Sequence, residues 1–538
     1  MIDNKNSEII LCSGIKMDKN YENVLSYSES SLVSLCRANQ IYNAMEYTFL
    51  GNTNYIDVEC PYSIAMYSNY VAFINPNFGN KWIFAWVTDT ELLNPKTTRI
   101  YFEKDVWSTW YERFTLNQAF IEREHVEDDT FGKHTIPEQL ETGDYIVKNE
   151  TDASDLTDVC PVVAATVDPN NNNVLGSYIG NRYESLGYYI FTGTRSLSTS
   201  YDTGEQVQVI SYYLDSMATN GKSDSIVSVF MAPKKLAGWT SSGNWYTGSL
   251  ISSFHWRDVD QNTSSTAANT FTDLSTTRPT TFGTYTPVNN KLYVWPYSYM
   301  NLTNNNGGNA TYRYEDFSNN TPTFQITGII TPSCSIHAAP KNYKSQTVAY
   351  NYGLPAAKYP ICSWNNDIYT NWLTQQGVNI ALDTTRNISS IIGGSVSGNI
   401  GGITGGISGI AGTMASIYEH SLIPPQARGN VNGGDVSAGN NKLTFTLQDI
   451  QIREEMARVI DSYFSKFGYK VNEVKTPNLN SRTQFNFIKV GGMDELISGD
   501  IPASDLEKIN NICRKGVTIF HDYSNFGNYT ISNPIVTP

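Results

Sequence analysis

The side chains best suited to reaction chemistry gather between Phe120 and Tyr145, where Glu122, Glu124, Glu127, Asp128 and Asp129 accompany His125 and His134. Carboxylates beside imidazoles are the donor set of metal-assisted hydrolysis, in which a bound ion acidifies water and a carboxylate takes its proton. The spacing argues against that use. It matches no H-E-x-x-H helix, and two histidines in a carboxylate-rich loop are a weak metal signal. The stretch therefore reads as a structural network of ion pairs and turns, with no catalytic residue, metal or cofactor assigned.

Other reactive patterns are missing as well. The chain has no G-x-S-x-G elbow, P-loop, dinucleotide fingerprint or EF-hand loop. Gly401 to Gly406, GGITGG, neither follows a strand nor runs into Lys-Ser/Thr, so it does not read as a phosphate cradle. A carboxylate pair for glycoside cleavage is defined by a separation of about 5 to 9.5 Å in the fold, which spacing in sequence does not reveal. A glycan-binding or glycan-degrading role thus stays open as the alternative to a structural one.

A second stretch has physical rather than reactive chemistry. Asn387 to Tyr418, NISSIIGGSVSGNIGGITGGISGIAGTMASIY, holds no charged residue, and Arg386 and Glu419 bracket it. Ile388, Ile391, Ile392, Val396, Ile400, Ile403, Ile407, Ile410, Met414 and Ile417 recur in steps of mostly three and four, which places them on one helical face. Gly394, Gly398, Gly402 and Gly406 step by four, the small-residue pattern that lets helices approach closely in lipid. In water each helix-interior glycine costs about 1 kcal/mol relative to alanine, so the segment should not hold a helix alone. Glycine also weakens strand interiors. A linker would avoid so many isoleucines, because large apolar groups seek burial. As a single helix the 32 residues would reach about 48 Å, beyond the roughly 30 Å hydrocarbon core, and a hairpin of two shorter arms is equally compatible.

The rest of the chain must carry this segment. Its 538 residues suffice for two or more domains or one elaborate body. Charged residues are 16% of the chain, while Tyr 35, Phe 22 and Trp 10 weight it towards aromatic, β-forming composition. The formal charge of −14 excludes a nucleic-acid clamp, which needs a basic footprint, but not a conduit through which nucleic acid slides. The seven cysteines are scattered with no C-x-x-C pair, so reduced buried thiols are expected. MIDNKNSEII has neither the basic nor the apolar region of a signal peptide, and synthesis in a cytoplasm is expected.

Along the chain, Glu8 to Gly51 has helix-compatible patches, and Tyr55 to Phe120 reads as successive antiparallel strands separated by Asn, Pro and Gly. Asp105 is placed to cap a short helix over DVWSTW. Thr151 to Val229 continues in strands, Thr240 to Thr281 is loop-like, and Thr286 to Phe317 predicts an aromatic hairpin around an Asn/Gly turn. Trp364, Ile368, Trp372 and Leu373 sit at helical offsets in Cys362 to Asn379, which predicts an amphipathic helix leading into the apolar stretch. Beyond it, LTFTLQDIQI predicts a strand. Ile452, Met456, Val459, Ile460, Tyr463 and Phe464 predict a helix closed by Gly468. TQFNFIKV and RKGVTIFH predict two further strands around a helix over Ala503 to Ile512. The expected organisation is a mainly β, β-rich α+β body in two pieces, residues 1–380 and 442–538, interrupted by a hydrophobic loop insertion at 381–441.

Three blocks carry a family resemblance: WSTWYERFTLNQAFIEREHVEDDT with HTIPEQLETGDY; PVNNKLYVWPYSY with NNNGG and YRYEDF; and VIDSYFSKFGYKVNEVKTPN with RTQFNFIKV and ISGDIP. In that order and combination they resemble the distal-tail (tail knob) proteins of short-tailed Picovirinae-type bacteriophages. The resemblance spans Trp107 to Phe520 and is less evident before Asn54. It implies a structural virion protein of the phage tail tip, made in the host cytoplasm and built as a homo-hexameric, β-rich ring or tube in contact with other tail proteins. It further implies that hydrophobic loops plug the lumen and on release enter the host cytoplasmic membrane, opening a pore for genome ejection. It implies no enzyme activity. Six copies multiply a charge of −14, and a negative lumen would let DNA pass without specific binding. Before release the loop is open to extended, disordered or packed helical forms.

Overall fold

The computed structural model describes residues 7–45, 47–49, 53–76, 79–156, 159–167, 177–179, 182–184, 186–190, 217–233, 245–248, 251–255, 257–258, 271–305, 307–329, 335–344, 353–356, 361–365, 428–432 and 444–536. The chain divides into two compact units. The first comprises Met1–Gly143, Thr281–Leu292 and Glu454–Pro538, and the second Asp144–Thr280 and Tyr293–Arg453.

In the first unit, seven antiparallel strands lie in the order Gln40–Ala44, Glu8–Cys12, Tyr70–Ile74, Trp82–Asn94, Thr97–Lys104, Tyr55–Val58, Tyr47–Phe49. The two outermost strands follow one another in the chain, and residues of both pack against one core that contains Ile9, Leu11, Val71, Phe73 and Phe102. Alternation sends Ile10, Cys12, Tyr70 and Phe84 to the opposite face, where they pack with Leu32, Val33 and Cys36 of the helix Glu29–Ala38. Both faces of Glu8–Cys12 are thus covered, which is why EIILC reads as a continuous apolar run. Each large apolar side chain buried in this way contributes about 1.5–3 kcal/mol.

A second sheet of this unit runs Asn23–Leu25, Val517–Phe520, Phe485–Val490, Ala119–Glu124, Tyr469–Lys475, and its first pair is parallel. It joins the two ends of the chain, with the Ser26 amide donating to the Phe520 carbonyl at 2.9 Å. Asp105 caps the helix Val106–Trp110 as its sequence predicts, accepting from the Ser108 amide at 3.1 Å and from the Tyr70 hydroxyl at 2.8 Å. Burial holds its carboxyl above the ordinary range despite those donors.

The helix Glu454–Phe467 ends at Gly468, whose φ of 64° and amide bond to the Phe464 carbonyl at 2.8 Å close it. Glycine is required there twice over, because a Cβ would also lie 2.0 Å from the Glu124 carbonyl oxygen. The helix Ala503–Lys515 and the strands Phe485–Val490 and Val517–Phe520 also stand where the pattern predicts them.

Among the described residues the second unit has three larger sheets. One is ordered Tyr145–Asp152, Thr446–Ile452, Ser298–Thr303, Asn309–Tyr312, its last two strands being the predicted aromatic hairpin. Another runs Arg257–Asp258, Gly187–Ile190, Val159–Ala165, Ile226–Pro233, Ile361–Asn365, Arg428–Asn432. The third is Leu274–Ser275, Thr323–Ile329, Ser335–Pro340, Leu354–Pro355. The fold is strand-rich, as expected.

Two stretches differ from expectation. Thr240 to Thr281, which reads as loop, holds the strands Trp245–Gly248, Ile251–His255, Arg257–Asp258 and Leu274–Ser275, because Ser- and Thr-rich runs pair wherever a partner strand is at hand. The described part of the predicted helix Cys362 to Asn379 is strand, Ile361–Asn365, hydrogen-bonded between Ile226–Pro233 and Arg428–Asn432. A few apolar offsets do not distinguish helix from strand, and here ladder partners on both sides supply the backbone bonds that a helix would have made internally. Among the described residues no helix is long and apolar enough to cross a membrane, a statement that does not extend to strands.

Candidate functional site

The apolar residues Ile388, Ile391, Ile392, Val396, Ile400, Ile403, Ile407, Ile410, Met414 and Ile417, and the glycines Gly394, Gly398, Gly402 and Gly406, lie outside the described residues. So does the 381–441 insertion apart from Arg428–Asn432. What the structure supplies is its attachment. Ile361 pairs with Asn432, Ser363 with Asn430 and Asn365 with Arg428, in antiparallel register. Asn365 and Arg428, the residues that flank 366–427 in sequence, are therefore directly opposed in the sheet. Closing a long segment has an entropic cost that grows only with the logarithm of its length, so a ladder at its base tolerates a long excursion. Because Ile361–Asn365 is itself bonded to Ser228–Phe230, the base belongs to the sheet rather than to the segment it carries.

The histidine and carboxylate stretch is dispersed into pairwise contacts. Glu122 pairs with Lys489 at 2.9 Å, Glu124 with Lys475, and Asp128 with Lys133 at 2.7 Å. Asp128 also accepts from the Thr130 amide and hydroxyl, and with Lys133 these hold its carboxyl well below the ordinary range. His125 is fully enclosed. Its Nδ1 accepts from the Phe487 amide at 2.8 Å, which makes Nε2 the protonated nitrogen, donating to the Ser465 carbonyl at 3.1 Å. Burial, reinforced by Arg482, pushes its pKa down to about 3. A neutral imidazole with both nitrogens engaged has no lone pair left for a metal or a proton-transfer step. Among the described residues no three His, Cys, Asp or Glu side chains are grouped to hold a metal ion.

The carboxylates of the first unit instead secure the excursion Thr281–Leu292. Asp461 accepts from the Tyr285 hydroxyl at 2.5 Å, the Val288 amide at 2.8 Å, the Asn289 amide at 3.0 Å and Asn289 Nδ2 at 2.8 Å. Asp129 accepts from the Asn290 amide at 2.9 Å and the Tyr469 hydroxyl at 2.7 Å. Burial raises its pKa against those donors. Glu138, buried itself, receives Lys291 Nζ at 2.5 Å, the Lys470 amide at 2.8 Å and Arg123. Burial lowers the Lys291 pKa, and Glu138 opposes that shift. Glu454 accepts from the Thr284 amide at 2.8 Å and from Arg458 at 2.8 Å. Beside this network lies a cleft of about 930 Å³, lined among others by His125, Asp129, Asn289, Asp461 and Arg482.

Sequence reasoning singled out His125 and Asp129 but missed Asp461 and the segment they serve. The available signal was a single acid, Asp461, amid the helical positions Ala457, Ile460 and Phe464 that the fold buries; Val459, expected on the same face, is exposed, because the buried stripe is narrower than the apolar pattern. An acid on a buried helical stripe needs donors from elsewhere.

Residues 255–534 match the family described as Bacillus phage phi29 tail knob protein gp9, C-terminal domain, and residues 5–115 match the family described as caudoviral major tail protein N-terminus. The chain is 23% identical to the tail knob protein gp9 of Bacillus phage phi29, covering 98% of both chains. It is 24% identical to that of Bacillus phage PZA, over 92% of this chain and 93% of the relative. Among solved structures it resembles the bacteriophage C1 tail knob protein gp12 with a TM-score of 0.62 at 14% identity, over 98% of this chain and 100% of that one, a likeness of fold.

Proposed function

The chain belongs to the phage tail knob protein gp9 family and sits in the virion tail as a structural component, and from that premise we propose that six copies form the distal tube of a short tail, with the 381–441 insertion, except its anchoring strand Arg428–Asn432, as a releasable membrane-active plug. The body, residues 1–380 and 442–538, is the wall of a conduit for DNA. Its role is mechanical rather than enzymatic, and it contacts other tail proteins at the ring's ends.

The observation that carries the reading is the pairing of Asn365 with Arg428 beneath an uncharged, isoleucine-spaced stretch. A segment hung on a sheet ladder can leave one environment for another without dismantling its support. In a closed ring the apolar loops would be hidden from water, where exposed apolar surface drives association. In a bilayer the isoleucine face would meet lipid, and the four-residue glycine steps would let helices pack. A formal charge of −14 per chain supports a lumen that repels phosphate, so that DNA slides.

Two measurements test this. Electron micrographs of purified protein should show sixfold rings or tubes, and discrete monomers would argue against the assembly. Liposomes loaded with dye should leak on addition of the triggered protein and stay intact with a variant lacking 387–418. Leakage that survives the deletion would remove the membrane role and leave the tube untouched.

A further inference from the structure

The four-stranded sheet of the second unit has two unlike faces. Leu447, Asp449, Met300 and Leu302 are buried, and Gln448, Ile450, Tyr299 and Asn301, which alternate with them on the other face, are half-buried. Strand register aligns Val147, Ile450 and Tyr299 in one outward row, and Glu150, Gln448, Asn301 and Thr311 in the next. Rings accumulate over the first row. Trp295 lies 4.9 Å from Tyr299 and Tyr145 5.6 Å from it, centroid to centroid, and the Arg313 guanidinium stands 5.3 Å from the Trp295 ring. Tyr145 is 38% exposed and Val147 48%. The second row is a ladder of polar side chains, in which Asn301 Nδ2 donates to Gln448 Oε1 at 3.2 Å and Gln448 Nε2 donates to Glu150 Oε1 at 2.7 Å.

We infer that this face binds a polysaccharide chain built of pyranose rings. A pyranose is amphipathic in the same sense as the face: its C–H side packs on aromatic rings, and its rim carries adjacent hydroxyls that both donate and accept. The rings supply the first contact. The ladder supplies the second, because Asn301 uses only its amino group within the row and keeps its carbonyl for a ligand, and each amide keeps a second N–H beyond the one it donates. Mutual bonding also holds Asn301, Gln448 and Glu150 in place before binding, which lowers the ordering cost of capture. A phosphate-bearing polymer fits less well, since the polar row carries a carboxylate, the Arg313 guanidinium stands against the Trp295 ring, and the whole chain is anionic. The face lies outside 366–427, so the inference stands apart from the membrane role.

The test uses the full-length protein on an array of glucose, rhamnose and N-acetylglucosamine oligosaccharides, with polyglycerol phosphate as a separate arm. Hits are then titrated by intrinsic tryptophan fluorescence. Binding to at least one oligosaccharide is expected, weakened about tenfold or more by Tyr299→Ala and by the surface pair Asn301→Ala with Glu150→Gln. The surface pair should leave the circular dichroism spectrum and melting midpoint unchanged, which separates lost contact from lost fold. Three results would overturn the inference: no oligosaccharide retained, affinity indifferent to the surface pair, or capture of polyglycerol phosphate alone. Crosslinks from Tyr145 and Asn301 to a second copy would also overturn it, by making the face a subunit interface.

Discussion

Asp461 grips Asn289 from across 172 residues of sequence, one carboxylate oxygen taking the backbone amide at 3.0 Å and the side-chain amide at 2.8 Å. The carboxylate is 1% exposed, and two more donors, Tyr285 and Val288, converge on its other oxygen. The excursion Thr281–Leu292 is therefore tied to the helix Glu454–Phe467 chiefly through Asp461, with Glu454 on the Thr284 amide and Ser465 on Asn289 Nδ2 as further ties.

Removing that side chain should be costly. Asp461→Ala takes the carboxylate acceptor from the Val288 and Asn289 amides, while Asn289 Nδ2 keeps Ser465 Oγ, and orphaned buried polar groups cost about 1–3 kcal/mol each before relaxation. A net loss of roughly 3 kcal/mol is expected in the denaturant unfolding of the first unit, with Asp461→Asn intermediate. An Asp461→Ala protein within about 0.5 kcal/mol of the parent would show that the excursion is held by other contacts.

Gly468 sets a second expectation. Alanine there meets both a left-handed φ of 64° and a backbone oxygen 2.0 Å from the new carbon, so Gly468→Ala should destabilise by more than about 2 kcal/mol. Gly492 has a similar φ of 70° with nothing near its Cβ position. Gly492→Ala should cost only about 1 kcal/mol, and calorimetry on the two variants separates conformational strain from collision.

Acid should weaken the first unit through His125. Its folded pKa of about 3 lies below the unfolded value near 6.5, so the unfolded chain binds the proton first as pH falls. The contribution of this group is present above pH 6.5 and declines from there to about pH 3, by roughly 5 kcal/mol in all. Asp129 and Glu124 act in the opposite sense, because burial raises their pKa values and the folded state takes up their protons first. Unfolding midpoints measured from pH 8 to pH 4 should fall in the parent and fall less in His125→Asn, which starts from a lower value at pH 8. Equal slopes would assign the acid response to other groups.

Replacing 387–418 by a short Gly/Ser connection should leave the second unit's stability unchanged, because the pairs Ile361–Asn432 to Asn365–Arg428 remain. Val431→Pro, which removes a donor within the strand Arg428–Asn432, should lower it by about 1 kcal/mol. Thermal melts of the two variants make the comparison. The reverse ranking would mean that the segment, not its base, carries the stability.

Local features were legible where one periodicity or one cap decides the outcome. The Asp105 cap, the Gly468 stop, the hairpin of Ser298–Thr303 with Asn309–Tyr312 and the C-terminal strands follow from neighbours within a few residues. Cys362–Asn365 was not legible in this way, because its conformation depends on partners at Val229 and Val431 that lie far off in sequence. The role of the acids between Glu122 and Asp129 was legible as structural, yet their partners were not.

By itself the sequence determined the strand-rich texture, the anionic charge, the apolar stretch Asn387 to Tyr418 and the family blocks, all properties of composition and short-range pattern. Only the tertiary structure decided that Asn365 faces Arg428, that Asp461 holds Asn289, and that Tyr145, Tyr299 and Trp295 share one face. The reason is physical. Helical and strand periods repeat within a few residues, whereas ladder register and the pairing of a buried charge are settled by whichever distant segment satisfies them at lowest free energy.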